Sequence, residues 1–188
     1  ERMKIFALSG SLRTGSFNSK LIRLAVAEAR RQGAQVTLGD FRELAPPLYD
    51  GDAEAAHGIP PAGQALIRHI EQADGLMIAT PEYNRAVPGP LKNAFDWVSR
   101  ATPYRLEGKP VLLLGASSGV GGAMKGMEAL RNTLDFQRAL IYPEMFSVKN
   151  GKDAFAASDR FTDPAMDDKL AHLLAGFLTS IKARLPVS

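Results

Sequence analysis

Five short apolar runs, each followed by a longer stretch of helical period or by the next turn, constrain the fold of this chain more than any other feature. The runs are Lys4-Ile5-Phe6-Ala7-Leu8, Gln35-Val36-Thr37-Leu38, Gly75-Leu76-Met77-Ile78-Ala79, Val111-Leu112-Leu113-Leu114 and a longer one from Arg138 to Val148 that Pro143 interrupts. They are mostly continuous rather than alternating, the pattern of strands covered on both faces. Between them, Ser16 to Arg31 reads as helix, with Phe17, Leu21, Leu24 and Ala25 on one face and Gly33 as its stop. Helix is also expected from about Ala62 to Gln72, around Leu91, Ala94, Phe95 and Val98, and from about Ala123 to Leu134. A last helix starts at Thr162-Asp163-Pro164, and its stripe of Leu170, Leu173, Leu174, Phe177, Leu178 and Ile181 has the clearest helical period in the chain. The segment from Phe41 to Pro61, rich in proline and glycine, reads as a long surface connection. Strands alternating with helices predict an α/β fold: a doubly wound parallel sheet of five strands with helices on both faces, one domain over 1–188. Right-handed crossovers then bring the strand-to-helix loops to the carboxyl edge of the sheet, where such folds bind ligands.

Composition narrows the chemistry. The chain has 188 residues and no cysteine, which removes disulfides, thiolate metal sites and cysteine nucleophiles and fits a reducing, cytoplasmic compartment. Three scattered histidines offer no metal-ligand cluster. Lys and Arg number 23 against 20 Asp and Glu, a net charge of +3. No run of like charges is long enough to track a nucleic acid, and no apolar run approaches the ~18 residues of a membrane span. The opening Glu1-Arg2-Met3-Lys4 shows no secretory cleavage pattern, and Met3 is the expected natural start.

Three loops carry the candidate chemistry. The first runs from Ser9 through Gly10, Ser11, Leu12, Arg13, Thr14, Gly15, Ser16, Phe17 and Asn18 to Ser19. It leads into a helix start, where free N–H groups and the helix dipole attract an anion, and Arg13 adds a charged donor. The plainer reading is that Ser16 or Asn18 only caps the helix. A nucleoside-triphosphate loop needs Lys-Ser or Lys-Thr after its second glycine, and Ser16-Phe17 stands there instead. A single terminal phosphate, as on a mononucleotide such as FMN, suits this loop best. Asp40 lies after the second strand, where a ribose-binding acid would sit in a dinucleotide fold, and reads as an ordinary solvated strand-end residue. The second loop, Thr80 to Asn93, is stiffened by Pro81, Pro88 and Pro90. Its Tyr83 and Asn84 give a planar heterocycle an apolar wall and an amide, unless Tyr83 simply packs into the core. The third, Ala116-Ser117-Ser118-Gly119-Val120-Gly121-Gly122, lets backbone approach a flat ring, or makes a plain turn.

Gly10-Ser11-Leu12-Arg13-Thr14-Gly15-Ser16-Phe17-Asn18, Pro81-Glu82-Tyr83-Asn84 and Pro88-Gly89-Pro90-Leu91-Lys92-Asn93-Ala94-Phe95-Asp96-Trp97 together resemble the NADPH-dependent FMN reductase family, which includes quinone, azo-dye and chromate reductases. The likeness runs from about Met3 to Ala123. It implies a flavodoxin-like fold with strand order 2-1-3-4-5 and FMN at the strand ends. It also implies that Ser11, Arg13, Ser16, Phe17 and Asn18 hold the phosphate, with Ser9 counted beside them. Pro81, Glu82, Tyr83 and Asn84 would contact ribityl and ring, and Ser117, Ser118 and Gly119 would lie near the other ring edge. NADPH or NADH would be the co-substrate, and members are usually dimers or tetramers. The expected reaction is ping-pong: hydride transfer from NAD(P)H to FMN, then reduction of a quinone, azo compound, free flavin or metal oxyanion such as chromate. No side chain need act as acid or base, Arg85 is a candidate for attracting an anionic substrate, and Trp97, Tyr104 and the stretch from Arg100 to Glu107 are candidates for a subunit interface.

Two rivals remain. A flavodoxin-type electron carrier would bind the same cofactor, although such carriers usually present acidic faces. Gly115-Ala116-Ser117-Ser118-Gly119 also satisfies the G-x-S-x-G pattern of serine hydrolases, with Asp135, Asp159 or Asp163 and then His172 following in order. Against it, His172 lies about 180° from the apolar centre of its helix at ~100° per residue, and so faces solvent.

Overall fold

The computed structural model describes residues 2–184, so the single domain expected over 1–188 extends at both ends beyond the described residues. The first four apolar runs form β1 (Lys4–Ser9), β2 (Gln35–Gly39), β3 (Gly75–Thr80) and β4 (Pro110–Ala116). β3 and β4 are buried along their whole length, whereas β2, at the sheet edge, buries only Val36. All pairings are parallel, with Ile5 beside Val36, Ala7 beside Met77 and Ile78 beside Leu113. The order along the sheet is β2-β1-β3-β4, continued by β5 (Leu140–Ile141). This is the 2-1-3-4-5 order of flavodoxin-like folds.

The fifth run departs from expectation. It forms two short strands, β5 and β6 (Phe146–Val148), both paired with β4: β5 at Pro110 and Val111, β6 at Leu114 to Ala116. Pro143 lies between them and has no N–H to give a ladder, so the strand breaks there and the sheet has six strands rather than five.

Eight helices, not five, flank the sheet among the described residues. The five expected ones are α1 (Phe17–Arg31), α4 (Pro61–Gln72), α5 (Gly89–Val98), α6 (Met124–Phe136) and α8 (Pro164–Lys182). The expected surface connection from Phe41 to Pro61 instead contains α2 (Phe41–Leu44) and α3 (Gly51–His57), capped by Asp40 and Asp50. α3 buries no residue, so no apolar period announced it. α7 (Gly151–Ala154) is a single turn after β6.

The sheet divides the core by strand alternation. On one face Ile5, Ala7, Met77, Ala79, Leu112 and Leu114 pack with α1 and the buried stripe of α8. On the other, Phe6, Leu8, Leu76, Ile78 and Leu113 pack under α4, α5 and α6. With both faces filled, the carboxyl edge is what the fold leaves for a ligand. Among the described residues, no helix is long and apolar enough to cross a membrane.

Trp97 does not have the interface role expected of it. It is 2% exposed, its indole N–H donates to Pro47 O at 2.8 Å, and Tyr49 packs edge-on 5.0 Å away. It anchors the Pro46-Pro47 segment of its own chain.

Candidate functional site

The carboxyl ends of β1, β3 and β4 bring the three loops around one cavity of about 160 Å³. The first loop contributes Ser11, Arg13, Ser16, Phe17 and Asn18, the second Pro81, Glu82 and Tyr83, and the third Ser117 and Ser118 with Ala116. Asn84 and Gly119 are next in the chain to lining residues but do not line the cavity. Ser9 is not brought in: it is buried at the end of β1, its Oγ 3.4 Å from Ser19 Oγ, and lines a neighbouring cavity instead.

The first loop starts by extending the sheet, with Gly10 N–H donating to Ala79 O at 2.8 Å. A Cβ on Gly10 would lie 2.5 Å from Leu91 Cδ2, so glycine lets the chain cross α5 closely. Gly15 then takes a φ of 71°, and Ser16 caps α1 by accepting from Asn18 N–H at 3.1 Å. The capping reading therefore holds for the Ser16 side chain. Asn18 is a clamp: its Nδ2 donates to Ala116 O at 2.9 Å and its Oδ1 accepts from Ala116 N–H at 2.8 Å, tying α1 to the end of β4. What stays available is backbone. The N–H groups of Thr14, Gly15, Phe17 and Ser19 have no acceptor among the described residues. The first turn of α1 holds no acidic side chain. Lys20 and Arg23 pair with Asp159 at 2.7 and 3.2 Å, and the Lys20 hydrogen bond holds the Asp159 carboxyl below its usual range. Arg13 forms no ion pair among the described residues and is exposed at the cavity. Unpaired donors, an unopposed helix dipole and an uncommitted guanidinium are the requirements of a phosphate site, so the residues present fit the phosphate end of FMN.

In the second loop Tyr83 and Ala86 exchange N–H to O bonds, each 3.1 Å, around a two-residue turn. Asn84 and Arg85 both take positive φ, 53° and 63°, as a tight hairpin of this hand requires. Tyr83 is 46% exposed, which overturns the reading that packs it into the core. Arg85 stands exposed at the hairpin tip.

Glu82 has a role that its motif did not reveal. Its Oε2 accepts from the N–H groups of Lys125 at 2.9 Å and Gly126 at 3.2 Å, so it caps α6 from another loop. α6 has no side-chain cap of its own, since Ala123 precedes it with a φ of 59°. A Cβ on Gly126 would lie 2.8 Å from Pro81 O, so glycine permits this close approach. The missing cap before Met124 was the available sequence signal.

The third loop is held by the segment after β6. Ser117 N–H donates to Val148 O at 3.1 Å, Gly151 N–H to Ser117 O at 2.8 Å, and Asn150 N–H to Gly119 O at 3.0 Å. Ser147 Oγ donates to Gly122 O at 2.8 Å. Phe17 covers Gly151 so closely that a Cβ there would lie 2.6 Å from its ring, which joins the first loop to the segment that holds the third.

This arrangement is not a hydrolase triad. Ser117 Oγ donates to Gly119 O within its own loop at 3.1 Å, and no histidine lines the cavity. His69 stacks on Phe6 with ring centroids 4.8 Å apart, His57 lies in α3, and His172 is exposed on α8 beside a different cavity. No group of metal-ligating side chains occurs among the described residues.

Residues 3–153 match the family described as NADPH-dependent FMN reductase. The chain belongs to that family. A quinone reductase of Escherichia coli is 42% identical over 141 residues, 75% of this chain and 74% of that protein. An NAD(P)H-dependent FMN reductase of Pseudomonas aeruginosa is 37% identical over 182 residues, covering 96% of this chain and 94% of the relative. The structure of a flavoenzyme NAD(P)H:(acceptor) oxidoreductase from Paracoccus denitrificans superposes with a TM-score of 0.83 at 30% identity, over 96% of this chain and 98% of that one. This member of the FMN reductase family is thus an oxidoreductase whose cofactor is FMN and whose reductant is NAD(P)H.

Proposed function

We propose that this protein is an FMN-dependent NAD(P)H oxidoreductase that reduces a quinone, with azo compounds, free flavin and metal oxyanions such as chromate as further acceptors. The observation that carries the reading is the set of unpaired N–H groups at the start of α1 with Arg13 beside them. Quinone comes first because the Escherichia coli relative is named a quinone reductase.

FMN supplies two-electron redox chemistry when bound, and ping-pong turnover, with NAD(P)H and then an oxidised acceptor using one open face, is the proposed kinetic form. The chain's own residues do the rest. Arg13 and the first-loop N–H groups bind the phosphate, and Ser16 and Asn18 keep those donors aimed by capping α1 and clamping it to β4. The 160 Å³ cavity is small, so it would suit the phosphate and ribityl tail, and Tyr83 with the Ser117-Ser118 segment would hold the ring. Glu82 holds the Tyr83–Ala86 hairpin against α6 and so sets the width of that slot. Arg85 at the tip attracts an anionic co-substrate. The proposal includes a single cytoplasmic domain that forms a homodimer or homotetramer. Phe136, 73% exposed with Tyr104 6.2 Å away, is an apolar surface suited to self-association.

The visible absorption spectrum of the purified protein tests this. Flavin bands that bleach with anaerobic NADPH and return on adding a quinone are expected. Bands that NADPH cannot bleach would point to an electron carrier, and absence of flavin binding even in excess FMN would end the cofactor assignment.

A further inference from the structure

The two halves of the third loop are fastened in different ways. Over the first half the ties run from main chain to main chain: Ser117 N–H to Val148 O, Gly151 N–H to Ser117 O and Asn150 N–H to Gly119 O. Over the second half the tie to β6 is one side chain, Ser147, whose Oγ donates to Gly122 O at 2.8 Å. Between Ser117 and Gly122 no other side chain from outside the loop bonds to it among the described residues. Ser147 is the middle residue of β6 and is partly buried. Strand alternation turns its neighbours Phe146 and Val148 into the core beside α1 and α8, and turns Ser147 toward the loop. Gly122 is matched to it: its φ is 58°, and a Cβ there would lie 2.1 Å from Ser147 Oγ. Ala123, the next residue, leads into α6, so this hydrogen bond sits where the loop becomes helix.

These ties use the loop's carbonyls and leave its N–H groups. Those of Ser118, Gly119, Val120 and Gly121 have no acceptor among the described residues, and Ser117 and Ser118 line the first cavity. N–H groups fixed beside a flavin ring stabilise the negative charge that the ring gains on reduction. We propose that Ser147 is a positioning residue for that ring: through Gly122 it fixes the third-loop N–H groups, and so raises the ring's affinity and its reduction potential. Ser147 itself does not line the cavity. The inference rests on the reading of the third loop as the ring side of an FMN site. Arg13 and the first loop serve the phosphate, so loss of the Ser147 hydroxyl weakens FMN and riboflavin alike.

Three variants test this. Ser147→Ala removes the hydroxyl, while Ser147→Thr and Ser147→Val have one shape and differ in whether the hydroxyl is kept. Ser147 borders two open cavities of about 590 and 350 Å³, which give the added methyl groups room. Flavin-free protein is titrated with FMN and with riboflavin by flavin fluorescence, and the reduction potential of the FMN-loaded protein is read against a reference dye. Ser147→Ala and Ser147→Val should weaken both flavins by the same factor, about three- to tenfold for one hydrogen bond, and should lower the potential. Ser147→Thr should match the parent in both readouts. A fall in unfolding temperature with both flavins and the potential unchanged would mean that the hydrogen bond only supports the fold, and overturns the proposal. So does a loss confined to FMN, which would place the effect at the phosphate, or an equal loss in Ser147→Thr and Ser147→Val, which would acquit the hydroxyl. Failure of the parent protein to bind FMN overturns the cofactor reading instead, so the two failures are distinguishable.

Discussion

Two helices begin at the carboxyl edge beside the cofactor slot, and their first turns are finished in opposite ways. α1 is capped locally by Ser16, a neutral side chain two residues before the N–H it accepts. α6 is capped from a distance by the carboxylate of Glu82, more than forty residues earlier. Both starts carry the partial positive charge of a helix dipole. At α6 that charge already faces a carboxylate, and two of its N–H groups are taken. At α1 the cap brings no charge, the first turn holds no acid, and neighbouring N–H groups stay unpaired. Under the proposed function the phosphate therefore belongs at α1, while α6 serves as a fixed post for the Tyr83–Ala86 hairpin. A negative ligand and a negative side chain compete for the same kind of place, and this chain assigns one helix to each.

Three substitutions probe that contrast. The largest effect is expected for Asn18→Ala, which asks how far the locally capped helix also depends on tertiary support. It orphans the buried N–H and C=O of Ala116 at roughly 1–3 kcal/mol each, so stability should fall by about 2–6 kcal/mol in urea unfolding. No change in the midpoint would show that the clamp contributes nothing. Next, Arg13→Ala should weaken FMN by about 1.5–3 kcal/mol in a fluorescence titration while riboflavin, which lacks the phosphate, binds as before. Equal losses for both flavins would remove Arg13 from the phosphate. Smallest is Glu82→Ala, which uncaps α6 at a cost of about 0.5–2 kcal/mol in thermal unfolding, with partial recovery in Glu82→Gln because an amide oxygen still accepts. An unchanged unfolding temperature in Glu82→Ala would erase the contrast between the two helix starts.

The parts of the fold legible in the sequence are those whose signal is local. The apolar runs of β1, β3 and β4, the Ser16 cap and the Asp163-Pro164 start of α8 all sit where the residues place them. The fifth strand was harder, since one proline divides a run whose two halves each still find β4. α2 and α3 were missed because four- and seven-residue helices that bury little display no period, and only their aspartate caps mark them.

The site divides along the same line. Residue types and order alone determined that one strand-to-helix loop would be dense in hydroxyl, amide and guanidinium donors and that no cysteine and no Lys-Ser or Lys-Thr of a nucleoside-triphosphate loop would accompany them. Tertiary structure decided what each side chain does there. Asn18 also clamps α1 to β4 and Glu82 also caps α6 while both line the first cavity, Ser9 left that cavity, and Asp40 entered a second one. The reason is physical: a helix dipole and its free N–H groups arise within a few consecutive residues, whereas a buried amide or carboxylate takes its role from whichever backbone group the fold brings within hydrogen-bonding distance.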